Sequence, residues 1–191
     1  MIVSPHITAQ LHAMLSPHMN SDGVYVDATA GGGRDTLFLA SRVGREGYVY
    51  AFDIQEKALS QTKDRLASET IKAPVELILD SHERMDLYVK RPLDGVMFNL
   101  GYLPGGDPTI TTERDSTRAA AEKALSLLKH GGFLSLLCYT GHPGGREEYE
   151  ALSAYAAQLD MHAAQAVEIR WSNCPKSPPV LILIEKRGAA V

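Results

Sequence analysis

The chain has 191 residues, 45% of them hydrophobic, and a formal net charge of −4. That length buries one sizeable core, so a single domain over residues 1–191 is expected, and the acidic balance leaves nucleic-acid binding to a local basic patch. The opening "MIVSPHITAQLHAMLSPHMN" has neither a basic start nor an unbroken apolar run, so neither a signal peptide nor a membrane span is expected and the cytoplasm is the expected compartment.

A first helix is expected over residues 5–16. His6, His12 and His18 recur at a spacing that does not share a helical face, and with no HExxH or Cys/His cluster no bound metal is expected. Strand-like runs then alternate with helical ones: "VYVDAT" at 24–29, a helix over 34–43, "GYVYAFD" at 47–53, a helix over 56–68 and "VELILD" at 75–80. The alternation continues with a helix over 82–90, "DGVMFN" at 94–99, a helix over 113–129 stopped by "KHGG", "GFLSLLCYT" at 132–140 and a helix over 146–159. Such a βαβ series predicts a mainly parallel sheet with helices on both faces. The last two strand-like segments, "HAAQAVEIRW" and "PVLILIEKR", have no helix between them and read as an antiparallel hairpin closing one sheet edge. Cys138 and Cys174 lack a CxxC spacing and read as free thiols.

"VDATAGGGRDTLFLA" places a strand, a glycine turn and a helix in succession, so backbone amides at the helix N-terminus meet a negatively charged or electron-rich ligand. About 20 residues further on, "YAFDIQ" ends a strand in Asp53, where a carboxylate accepts the ribose hydroxyls of an adenosine cofactor. The plainer alternatives are a tight turn with no ligand and an Asp53 that caps the next helix. Asp27 either holds the glycine loop by accepting its amides or approaches the cofactor's amino group. The fingerprint positions read Gly31, Gly33 and Thr36, which departs from the dinucleotide pattern GxGxxG, and no P-loop is present.

Together, "DATAGGGRDT", "AFDIQ", "FNLGYLPGGD", "YTGHPGG" and the Asn, Pro and Pro-Pro of "NCPKSPP" resemble the small class I S-adenosylmethionine-dependent methyltransferases of the YtqB or MnmM type, once described as rRNA methylases. The resemblance covers roughly residues 3–187 in motif order. It implies a Rossmann-like seven-stranded sheet of order 3-2-1-4-5-7-6 with strand 7 antiparallel. It also implies S-adenosylmethionine as cofactor and the anticodon region of tRNA as partner, the product being 5-methylaminomethyl-2-thiouridine made from the 5-aminomethyl nucleoside at the wobble position. Thr29 departs from the family-wide loop by standing at its first glycine position. By resemblance Asp27, Thr29, Gly31, Gly33, Asp35 and Thr36 form the cofactor loop, Asp53 and Gln55 hold the ribose and adenine side, Ser81 and His82 border the adenine, and Asn99 also stands against the cofactor; "DSHERM" also reads as a helix-capping sequence.

"NLGY" resembles the Asn-Pro-Pro-Tyr motif of amino-group methyltransferases, with Asn99 and Tyr102 keeping the outer positions. Methyl transfer needs an oriented nitrogen lone pair and no covalent nucleophile. The Asn99 side-chain oxygen would accept the amine's hydrogens, and the Tyr102 ring would steady a cation by ~0.5–2 kcal/mol; alternatively the two are a turn residue and a packed aromatic. His142 would take the departing proton or is a plain loop residue, and Tyr139 lines the pocket or packs at a strand end. Trp171 and Lys176, with Asn173, would meet an unstacked base, or stiffen a hairpin turn. Other readings keep the chemistry on rRNA or a small-molecule amine, or make the protein a nicotinamide oxidoreductase or a non-catalytic adenosine-binding module. Oligomeric state is not legible in the sequence, and a homodimer is compatible with it.

Overall fold

The computed structural model describes residues 4, 6–103, 105, 111–173 and 178–188. Its elements in order are α1 (Ile7–Leu15), β1 (Val24–Asp27), α2 (Arg34–Arg42), β2 (Tyr48–Asp53), α3 (Glu56–Ala67), β3 (Val75–Leu79), α4 (Met85–Tyr88), β4 (Leu93–Leu100), α5 (Arg114–Leu127), β5 (Leu128–Cys138), α6 (Gly145–Ala157), β6 (Ala164–Ile169) and β7 (Val180–Lys186). The strands form one sheet of order β3-β2-β1-β4-β5-β7-β6. The first five are mutually parallel, and β7 lies antiparallel between β5 and β6.

The central strands are apolar on both sides because both of their faces are covered. Val24 and Val26 of β1, Val96, Phe98 and Leu100 of β4 and Leu134 and Leu136 of β5 join one core cluster with Met85, Ala120, Ala124 and Leu152 from α4, α5 and α6. The alternate residues Tyr25, Met97, Phe133 and Leu137 join a second cluster with Leu11 and Leu15 of α1 and Phe38 and Leu39 of α2. The two-residue period of a strand thus sorts neighbouring side chains into two helical layers. Each large side chain so buried contributes roughly 1.5–3 kcal/mol.

Two elements differ from the sequence reading by more than a residue or two at a boundary. "KHGG" does not stop α5: the helix ends at Leu127, Leu128 already pairs with Leu93, and a bulge in β5 intervenes before Phe133 pairs with Gly95. A cation followed by glycines suits a helix end and a strand bulge equally, and only the partner strand decides between them. The helix expected over 82–90 is a 3-10 turn, His82–Arg84, followed by the single turn of α4. No helix among the described residues is long and apolar enough to cross a membrane.

Candidate active site

The order of the sheet reverses between β1 and β4, and in open α/β sheets ligands bind beyond the carboxyl ends of the strands at such a switch point. A cleft of about 1330 Å³ lies there, lined by the ends of β1, β2, β4 and β5 and the segments that follow them. It exceeds the ~300–1,000 Å³ usual for small-ligand pockets, so a cofactor and part of a larger substrate have room together.

The glycine loop is built by backbone conformation and by a carboxylate behind it. Gly31 and Gly33 have φ of 51° and 76°, and Gly33 immediately precedes α2. A Cβ on Gly33 would stand 2.7 Å from the Thr62 Cα, so a side chain here would push α3 away from the loop. Asp27 is fully buried; its carboxylate accepts the Thr29 amide at 3.1 Å and the Thr36 hydroxyl at 2.6 Å. Of the two roles considered for Asp27, holding the loop is the one its bonds describe. Burial, and then the charge of Asp35, push its pKa up to about 7.

Asp53, at the end of β2, accepts the amides of Gly31 and Gln55, each at 2.9 Å. Each carboxylate oxygen keeps a further lone pair, so the group can still accept ribose hydroxyls from the cleft it lines. Burial raises its pKa, against the three amides of Gln55, Gly31 and Ile54. Gln55 lines the same wall, as does Ile54, an apolar side chain 57% exposed that sequence reasoning did not single out. Its one signal was its place immediately after the acidic strand end.

Ser81 caps the 3-10 turn by accepting the Glu83 amide at 3.4 Å, as the capping reading expected, and also lines the cleft. His82 Nδ1 lies 3.0 Å from the Ala28 carbonyl oxygen. That partner only accepts, so Nδ1 carries the proton and the buried Nε2, which has no partner among the described residues, presents a lone pair. Burial lowers the His82 pKa and so favours this neutral ring.

Asn99 joins the two loops. Its backbone N–H donates to the Thr29 hydroxyl at 2.7 Å, and its side-chain Nδ2 donates to Asp35 Oδ2 at 3.3 Å. The chain then turns through Gly101 to Tyr102, which is 51% exposed and meets the His142 ring edge-on at 6.2 Å. Both ends of this turn are pinned. Gly101 donates its amide to the Thr112 hydroxyl at 3.0 Å and accepts the Thr112 amide at 2.9 Å, while Tyr102 pairs with Thr111 across a short bridge. Beneath them the buried Glu148 accepts the hydroxyls of Thr112 at 2.9 Å and Thr117 at 2.6 Å. Burial raises the Glu148 pKa, opposed by those two hydroxyls and by His142. Nothing local in "REEYE" marked Glu148, because an acidic residue in a helix normally reads as a solvated face.

His142 Nδ1 lies 2.9 Å from the Pro143 carbonyl oxygen, so it is the protonated nitrogen; Nε2 is buried beside Gly101 with no partner among the described residues. Tyr139 follows β5 and also lines the cleft. The structure therefore brings Thr29, Gly31, Asp35, Asp53, Gln55, Ser81, His82, Asn99, Tyr102, Tyr139 and His142 to one cleft, with Asp27, Gly33 and Thr36 buried behind its glycine loop. Trp171, half-buried beyond β6, is not among the lining residues. Lys176 and Cys174 lie outside the described residues.

Sheet order, glycine loop and strand-end carboxylate define a class I S-adenosylmethionine-dependent methyltransferase. A family model described as "Putative rRNA methylase" matches residues 49–185. The tRNA (mnm5s2U34)-methyltransferase, chloroplastic, of Arabidopsis thaliana is 37% identical over 94% of this chain and 69% of its own length. A "putative rRNA-methylase" from Clostridium thermocellum superposes with a TM-score of 0.92 at 38% identity, covering 96% of this chain and 99% of that one. A "putative methyltransferase" from Streptococcus mutans, solved in complex with SAH, gives 0.87 at 36% identity over 97% and 99%. The chain belongs to the rRNA methylase family that this model describes.

Proposed function

We propose that this protein methylates the 5-aminomethyl nitrogen of a wobble 2-thiouridine in tRNA, giving the 5-methylaminomethyl nucleoside, within a single domain acting in the cytoplasm. The observation that carries the reading is Asn99, held at the end of β4 against the glycine loop with its amide NH2 engaged by Asp35. The name of the Arabidopsis relative supports the choice of substrate.

The residues present fit S-adenosylmethionine. Asp53 offers acceptors for ribose hydroxyls, the exposed Ile54 offers an apolar face for a base, and His82 Nε2, with no partner among the described residues, offers an acceptor on the cleft wall. When bound, the cofactor supplies an electrophilic methyl on a sulfonium; the amine lone pair forms the new N–C bond, the C–S pair stays with sulfur, and the surplus proton leaves the nitrogen. The chain's part is to orient and to deprotonate. Asn99 Oδ1 accepts an amine hydrogen and so aims the lone pair, Tyr102 presents its ring to the cationic group, and His142 Nε2, the unprotonated nitrogen, takes the proton. Arg34, exposed on the cleft rim, offers a cation to the RNA backbone despite the acidic net charge.

The test is mass spectrometry of nucleosides from tRNA lacking the final methyl after incubation with enzyme and S-adenosylmethionine. A gain of one CH2 in mass on the 5-aminomethyl-2-thiouridine is expected, since a methyl group replaces one amine hydrogen. An unchanged nucleoside, with methylation appearing instead on rRNA or on small amines, would refute the substrate.

A further inference from the structure

We infer that Asp35, anchored by His12, is a positioning residue that dictates which edge of the Asn99 amide faces the substrate. The inference rests on the proposed role of Asn99 and adds what holds that side chain in its working orientation.

Both Asp35 oxygens are occupied. Oδ1 receives His12 Nε2 at 2.6 Å and Oδ2 receives Asn99 Nδ2 at 3.3 Å, in a site where Asp35 is only 5% exposed. A carboxylate accepts and cannot donate, so it tolerates only the NH2 edge of the neighbouring amide. Asn99 Oδ1 is therefore the edge left for the cleft. The distinction is chemical. An Oδ1 facing the amine binds its hydrogens and leaves its lone pair free, whereas an NH2 in that place would donate to the very pair that must attack carbon.

His12 keeps the carboxylate from swinging away. Its ring stacks on Phe38 at 3.9 Å and 3°, and Phe38 and Asp35 stand three residues apart on α2, neighbours on one face. The N-terminal helix α1 thus reaches the reaction centre through a chain of three polar groups, from His12 to Asp35 to Asn99. The sequence concealed this: His12 was one of three histidines that share no helical face.

The first readout needs no turnover. In the full 15N-labelled chain, the Asn99 side-chain NH2 signal, assigned by its loss in Asn99→Ala, should shift and exchange faster in Asp35→Asn. It should move partway in His12→Ala and return toward the wild-type position in His12→Gln, whose amide still donates to Asp35. The second readout is single-turnover transfer to tRNA at saturating cofactor: Asp35→Asn should be roughly 10–100-fold slower, as a misaimed reactant is. Its S-adenosylmethionine Kd should change by less than the rate does, because the Asp35 oxygens are engaged by His12 and Asn99 rather than given over to the cofactor loop to which the family resemblance assigned the residue. The double variant Asp35→Asn/Asn99→Ala should be no slower than Asn99→Ala alone. An unmoved amide signal in Asp35→Asn, multiplying losses in the double variant, or cofactor affinity falling in step with rate would overturn the inference. A wild-type protein inactive on tRNA would sink the proposed substrate instead, while the amide signals would still decide the role of Asp35.

Discussion

Replacing Glu148 by Ala separates the scaffold of the Asn99–Tyr102 turn from the chemistry performed on it. The wild-type carboxylate is 1% exposed and holds two hydroxyls, Thr117 at 2.6 Å and Thr112 at 2.9 Å; Thr112 in turn fixes the Gly101 amide. Hydrogen bonds to a charged group contribute about 1.5–3 kcal/mol each, and truncation also leaves a void. Removing the carboxylate relieves the burial that raises its pKa, which offsets part of that loss. A net destabilisation of about 2–4 kcal/mol follows, and at roughly 2–4 °C per kcal/mol for a domain of this size Tm should fall by roughly 5–15 °C. Glu148→Gln keeps one acceptor oxygen and should lose about half as much.

The pH dependence has a fixed sign. The folded protein binds this proton more tightly than the unfolded chain, whose ordinary value is 4.5, so the contribution of Glu148 is fullest below that value and erodes as pH rises through the elevated folded one. The stability difference between wild type and Glu148→Gln should therefore shrink with rising pH. Circular-dichroism melts across pH, calorimetry with S-adenosylmethionine and single-turnover transfer would check the set. Transfer should slow while the cofactor Kd stays within about threefold, because Glu148 does not touch the glycine loop. A Tm within about 2 °C of wild type for Glu148→Ala, or a cofactor affinity lost in proportion to rate, would refute the anchoring argument.

Three further outcomes are expected. Asp53→Ala should weaken S-adenosylmethionine roughly 10–100-fold by calorimetry, one to two tenfold steps of about 1.4 kcal/mol, whereas Asn99→Ala should leave that Kd nearly unchanged and slow transfer; the opposite pattern would exchange their roles. Gly33→Ala should cost about 2–4 kcal/mol in chemical denaturation, combining a positive φ with a Cβ 2.7 Å from the Thr62 Cα, while Gly32→Ala, whose Cβ would meet nothing nearer than 3.8 Å, should be almost neutral. Asp27→Asn should remove a proton that the fold holds up to about 7, so wild-type stability relative to the variant should fall as pH rises from about 4 to 7, by at most about 1.4 kcal/mol per pH unit. Denaturant curves at several pH values would show it, and parallel profiles for the two proteins would count against it.

Much of the molecule was written in local pattern. Alternating strands and helices, apolar on both strand faces, implied a parallel doubly covered sheet, and the absence of a helix between the last two strands implied their antiparallel edge. The glycine turn followed by Asp53 marked one wall of the cleft, since consecutive backbone amides and a strand-end carboxylate are set by residues close together in sequence. Tertiary structure alone decided what depends on chains meeting from afar. Whether "KHGG" ends a helix or bulges a strand rests on Leu93 across the sheet. Whether His12, Asp35 and Glu148 are solvated charges or bear on Asn99 and Gly101 rests on contacts made by α1, α2 and α6 with the cleft, and a hydrogen bond between residues 64 apart leaves no periodic trace in the sequence that makes it.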